Sequence, residues 1–165
     1  MLRAFLPPGW AFDKRSRRPP RDPVNALISF LSILLTNAAL GIASSTGVDP
    51  YLGVLHGPSR GAPCLVLDLI EEFRPVIVDR TAFALLRRRE IRESDFHLRG
   101  TEGVLLSERG RRTVLSAFVA RMNSRARSPA DDKTTSYLRI IDLQFRQLRD
   151  LFEGRSTSYR PYMLR

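Results

Sequence analysis

The sequence predicts a mainly α, helical bundle-like domain. Three stretches lead to that expectation. Val24 to Thr46 is an uncharged, mostly apolar run. Val114, Leu115, Phe118 and Met122 form a stripe behind Ser107, and Leu138, Ile141, Phe145, Leu148 and Phe152 repeat at three- and four-residue spacing, the period of one helix face. At 165 residues the chain suits one domain with a real core.

Residues 1–21 carry the basic cluster Lys14-Arg-Ser-Arg-Arg-Pro-Pro-Arg21 and are expected to form a proline-rich arm or linker before a helical domain at 22–165. Asp22-Pro23 is a strong helix start, an N-cap acid followed by proline at the first helical position. The helix should run to Gly47, a good left-handed stop. Asp49-Pro50 opens a short turn leading to His56. After a loop from Gly57 to Pro63, Cys64 to Phe73 is expected to be helical. Pro75 should break that helix, with Val76 to Arg89 resuming it and Val78, Phe83 and Leu86 pointing inward. Arg99 to Leu106 suggests a loop or short hairpin. Ser107 caps a helix to about Ser124, Asn123 to Lys133 is a loop, and the last helix runs from about Thr135 to Phe152 before Gly154.

Charge narrows the partners. There are 27 Lys+Arg against 17 Asp+Glu, a formal net charge of +10 and a pI near 11.0. All the cations but Lys14 and Lys133 are arginines, whose planar fork suits phosphate. This balance points to nucleic acid or an anionic surface. A solvated basic surface with no such partner is the plainer reading. Arg87 to Arg89, Arg109 with Arg111 and Arg112, and Arg121, Arg125 and Arg127 are candidates for tracking phosphates. The run from Val24 to Thr46 is long enough to span a bilayer. Asn25, Ser29, Ser32, Thr36 and Asn37 interrupt it, so a buried core helix and no membrane partner are expected. One cysteine, Cys64, excludes a disulfide framework and a cysteine zinc cluster and leaves a reducing cytoplasm as the default compartment. It reads as a small core residue, because no histidine and acid are arranged to activate it.

The candidate chemistry lies between His56 and Glu72. On a helix Asp68 and Glu71 share a face, among the apolar Leu65, Leu67, Leu69 and Ile70. Acids in such surroundings need compensation, and metal coordination supplies it. Imidazole with carboxylate oxygens suits magnesium or manganese. Spacing alone equally allows Asp68, Glu71 and Glu72 to be the solvated stripe of an amphipathic helix, with His56 a turn residue. His97 lacks a matching carboxylate pair and is expected to be an exposed residue of a capping region.

The blocks Arg18-Pro-Pro-Arg-Asp-Pro-Val-Asn-Ala-Leu-Ile-Ser-Phe30, Gly47-Val-Asp-Pro-Tyr-Leu-Gly-Val-Leu-His56, Leu67-Asp-Leu-Ile-Glu-Glu-Phe-Arg-Pro75 and Tyr159-Arg-Pro-Tyr162 resemble, in order and spacing, the C-terminal helical domain of CRISPR-associated protein one. The resemblance implies the integrase and endonuclease of CRISPR spacer acquisition, acting on double-stranded DNA with magnesium or manganese. It implies His56 and Glu71 as metal ligands and Asp68 as a neighbour acting through water or positioning a ligand. Implied partners are a second copy of the chain, as a homodimer, and CRISPR-associated protein two. Two departures stand out. The family's first ligand is a glutamate upstream of the Arg-Pro-Pro block, behind an N-terminal β domain, and this chain has no glutamate before Glu71. Residues 1–13 therefore look like the tail of a lost or separately encoded half. Ser32 stands where the family often has tyrosine. The alternative is a non-catalytic DNA-binding or dimerisation remnant, or one half of a split enzyme.

Overall fold

The structure, a computed structural model, describes residues 6–16, 18–52 and 62–163. It is mainly helical, as predicted, and divides into two compact units. The first comprises residues 1–34 and 76–120, the second residues 35–75 and 121–165.

Helix α1 (Pro23–Thr46) starts as Asp22-Pro23 predicts, with the Asp22 carboxylate accepting from the Asn25 backbone N–H at 2.8 Å. Gly47 ends it at φ +76°, the left-handed conformation that glycine adopts without strain. Its length and composition would cross a membrane. However, Leu27, Leu31, Leu35, Ala39 and Ala43 are each 0% exposed, a four-residue stripe buried in protein, as a core helix requires.

In the first unit, the stretch before α1 is tied to that helix. Phe12 is buried, Arg15 Nη1 donates to Asn25 Oδ1 at 2.8 Å, and Asn25 Nδ2 donates to the Lys14 carbonyl at 2.9 Å. Helix α3 (Arg80–Arg87) buries Ala82, Leu85 and Leu86, while Phe83 is only half-buried. Strands β1 (Phe96–Leu98) and β2 (Val104–Leu106) form the suggested hairpin, Phe96 opposite Leu106. His97 is therefore an exposed strand residue, not one of a helix cap. Ser107 caps α4 (Glu108–Asn123) by accepting from the Gly110 N–H at 3.1 Å. Val114, Phe118 and Met122 are buried, but Leu115 is exposed.

A buried carboxylate holds the hairpin to α4. Asp95, 2% exposed, accepts from Arg109 Nε at 2.8 Å, from Arg109 Nη2 at 2.6 Å and from the Arg92 backbone N–H at 2.9 Å. Asp95→Ala is expected to destabilise the fold by about 2–3 kcal/mol in a denaturant titration, because it orphans that N–H and breaks a bidentate pair. The value stays below a fully buried pair's loss because the freed Arg109 side chain is 60% exposed and hydrates.

In the second unit, α2 (Cys64–Glu71) buries Cys64, Leu65, Val66, Leu69 and Ile70; Cys64 is the small core residue the sequence suggests. Helix α2 ends before Pro75, as predicted, and helical winding resumes after it. Residues Arg74–Asp79 form a π-helical turn, a rare wider winding. The expected loop after α4 contains a second hairpin, β3 (Arg125–Arg127) against β4 (Thr134–Ser136), with Arg127 opposite Thr134 and Arg127 paired to Asp132. Helix α5 (Tyr137–Phe152) is capped by Ser136, whose side chain accepts from the Arg139 N–H. Its buried side is Tyr137, Ile140, Ile141, Gln144 and Phe145; Leu138 and Phe152 are exposed, so the buried stripe is rotated from the predicted one.

Candidate metal centre and its surroundings

Asp68 and Glu71 lie three residues apart on α2, as the sequence requires for one face. Asp68 is half-buried and engaged with other groups. Glu71 has a 58% exposed side chain and pairs with Arg74 Nη1 at 2.6 Å. Neither is an orphaned charge, and the pair is exposed on its Glu71 side, with Arg74 largely covered. His56 lies outside the described residues. Among the described residues, no group of three histidines, cysteines or acids is placed to hold a metal.

The next residue is the one the sequence left as a solvated acid. Glu72 is half-buried and accepts from the Tyr159 hydroxyl at 2.7 Å and from the Tyr162 backbone N–H at 2.8 Å. Burial pushes its carboxyl above the ordinary range, against the opposing pull of the Tyr159 and Tyr162 hydrogen bonds. The Tyr159 hydroxyl is driven up in turn, first by burial and then by the adjacent Glu72 carboxylate, so it remains a donor. Phe73 stacks on Tyr162 with ring centroids 4.9 Å apart. Tyr162 meets Tyr137 edge-on at 5.9 Å, and the Arg121 guanidinium lies 4.9 Å from the Tyr137 ring centre.

Many arginines proposed for phosphate are engaged within the protein. Arg109 holds Asp95, Arg111 and Arg112 reach Glu108, and Arg127 holds Asp132. Arg88 lies 3.7 Å from Glu90. Arg80, Arg87, Arg89 and Arg92 are exposed and make no ion pair among the described residues. They leave a basic surface along α3 and the turn after it.

A mainly helical domain with a carboxylate-bearing α2 and an arginine-rich surface is the class these features define. The family model described as CRISPR associated protein Cas1 matches residues 1–120, and the chain belongs to that family. It is 42% identical over 153 residues to CRISPR-associated endonuclease Cas1 2 of Rhodospirillum rubrum, covering 93% of this chain and 44% of the relative. It is 36% identical to CRISPR-associated endonuclease Cas1 of Leptospira interrogans, covering 92% and 59%. Thus the chain spans about half the length of the curated relatives it matches. Among solved structures, a Cas1 protein from Thermotoga maritima aligns with TM-score 0.81 at 25% identity, over 99% of this chain and 49% of that one. A chain of a Cas6-RT-Cas1–Cas2 complex aligns with TM-score 0.80 at 28% identity, over 94% of this chain and 17% of that one. A casposase bound to integration product shares the fold, with TM-score 0.87 at 22% identity over 96% and 45%.

Proposed function

We propose that this chain is the catalytic helical part of a CRISPR adaptation integrase or endonuclease that acts on phosphodiesters of double-stranded DNA in the cytoplasm. The observation that carries the reading is Glu71, solvent-facing on α2 with Asp68 one turn before it, in a chain of the Cas1 family. The donor chemistry fits magnesium or manganese, since both acids offer hard oxygens. The Glu71 carboxylate is 58% exposed, open to a cation from the solvent side. Glu71 would hold the metal with His56, and Asp68 would hold one of its waters or orient a ligand. A divalent metal bound there supplies charge to polarise a phosphoryl oxygen. The protein's part is to fix the carboxylates and to hold the duplex by its backbone.

Arg80, Arg87, Arg89 and Arg92 are the proposed phosphate contacts. Arg87→Ala is expected to lower the slope of log affinity against log salt by up to about 0.9 on duplex DNA, the value for one phosphate contact. Arg127→Ala, whose guanidinium already pairs with Asp132, should leave the slope unchanged. Titrations between low and moderate salt distinguish these results. The proposed protein partners are a second copy of the chain and a Cas2 protein, the latter supported by the structural neighbour in a Cas6-RT-Cas1–Cas2 complex.

The test is cleavage and strand transfer on branched and linear duplexes with manganese, comparing the chain with His56→Ala. Activity in the parent and its loss in the variant support the reading. DNA binding that is salt-sensitive but never accompanied by turnover favours a binding module instead.

A further inference from the structure

Helix α2 is eight residues long and has no side-chain bond at its N-cap Pro63. A helix so short does not hold its own orientation; packing and anchors must fix it. One anchor lies immediately after Glu71. Glu72 accepts two hydrogen bonds from residues 87 and 90 positions later, Tyr159 and Tyr162, and Phe73 stacks on Tyr162. The tail that supplies these groups is fixed to α5 at Arg160. Gln144 Nε2 donates to the Arg160 carbonyl at 3.0 Å, and the Arg160 N–H donates to Gln147 Oε1 at 3.2 Å. Gln144 is 0% exposed. A continuous chain of contacts therefore runs from a sixteen-residue helix through the tail to the end of α2.

We propose that Glu72 is a positioning residue for Glu71 and Asp68, and that residues 156–162 are the brace through which it acts, setting the rotation of α2 and so the direction of both carboxylates. Glu72 is one helical turn from Asp68 and adjacent to Glu71, so a rotation released at Glu72 turns both acids together. The proposal rests on the reading of those acids as metal-facing. It assigns Glu72 to the tail and not to the ion, because both its carboxylate oxygens accept from the tail's donors.

The experiment measures Mn2+ binding to the chain by the loss of the free-ion paramagnetic resonance signal, beside hydrogen exchange of the Leu69–Phe73 amides. Glu72→Ala and Tyr159→Phe are expected to raise the half-saturating Mn2+ concentration about ten-fold, the lower range for groups that orient a metal ligand. They should also speed exchange at the end of α2 while leaving metal-free DNA affinity intact. Glu72→Gln, which keeps one acceptor for the Tyr162 N–H, should recover part of the affinity. If Glu71→Ala abolishes Mn2+ binding while Glu72→Ala and Tyr159→Phe leave it unchanged, the brace is overturned and the metal reading stands. If Glu71→Ala leaves Mn2+ binding unchanged, the metal reading falls and the positioning role falls with it. Joint loss of Mn2+ and metal-free DNA binding, in step with a lowered melting temperature, marks Glu72 as merely structural and also overturns the brace.

Discussion

Glu71→Ala is expected to lower manganese-dependent cleavage or strand transfer at least about 100-fold, the scale seen when one group stabilising charge at the reacting centre is removed. Folding stability should change by less than about 2 kcal/mol, because Glu71 is 58% exposed and screened while the Arg74 it leaves is 21% exposed. The dissociation of the two effects is what identifies the residue. A carboxylate kept only to cap or solvate α2 would lose little activity, whereas a structural anchor would lose stability first. Single-turnover kinetics at saturating DNA, paired with a urea titration, read both quantities on the same preparation. Asp68→Asn should cost about ten-fold, as expected for a group that orients a ligand or its water. A stability loss above about 2 kcal/mol in Glu71→Ala would place it instead among the groups holding the fold.

The elements legible in the sequence were those whose local chemistry and tertiary packing agree. Asp22-Pro23 marks the start of α1 and Gly47 its end because capping geometry is set by the residues themselves. Ser107 announces α4 for the same reason. The β3–β4 hairpin was missed because its strands are three residues long and partly exposed, too short to show alternation. Its turn carries Asp132 at φ +60° and the Arg127–Asp132 pair, signals that an Asp-Asp-Lys stretch only hints at. Pro75 marks the end of α2, but the π-helical winding at 74–79, with Val76, Ile77 and Val78 buried, is not legible because no residue type signals that rare turn. At the site, the spacing of Asp68 and Glu71 was readable because it is local. Glu72 read as one more solvated acid because its partners, Tyr159 and Tyr162, come from the far end of the chain.

Gly103→Ala is expected to destabilise the protein by about 3–5 kcal/mol, combining backbone strain of roughly 1–3 kcal/mol with a similar cost of overpacking. Gly103 sits at φ +81°, ψ −151°, a region essentially reserved for glycine. A Cβ there would meet the Pro20 carbonyl oxygen and lie 2.8 Å from the Pro19 Cβ. The collision is with backbone, so no side-chain rotation relieves it. The same approach is bonded on either side, since the Val104 N–H donates to the Pro20 carbonyl at 2.9 Å and the Arg99 N–H to the Gly103 carbonyl at 2.9 Å. Moving Pro20 away to admit a methyl group would therefore break the bond that holds the Pro-Pro segment to the hairpin. Gly100→Ala is the internal control: it shares the hairpin and a positive φ of +45°, but its Cβ meets nothing within 4 Å, so about 1–2 kcal/mol of left-handed strain is its whole cost. Chemical denaturation of both variants separates strain from contact. Equal losses would show that Pro20 does not lie against the hairpin, whereas a surplus of about 2 kcal/mol or more at Gly103 places the basic Pro-Pro segment firmly on β2.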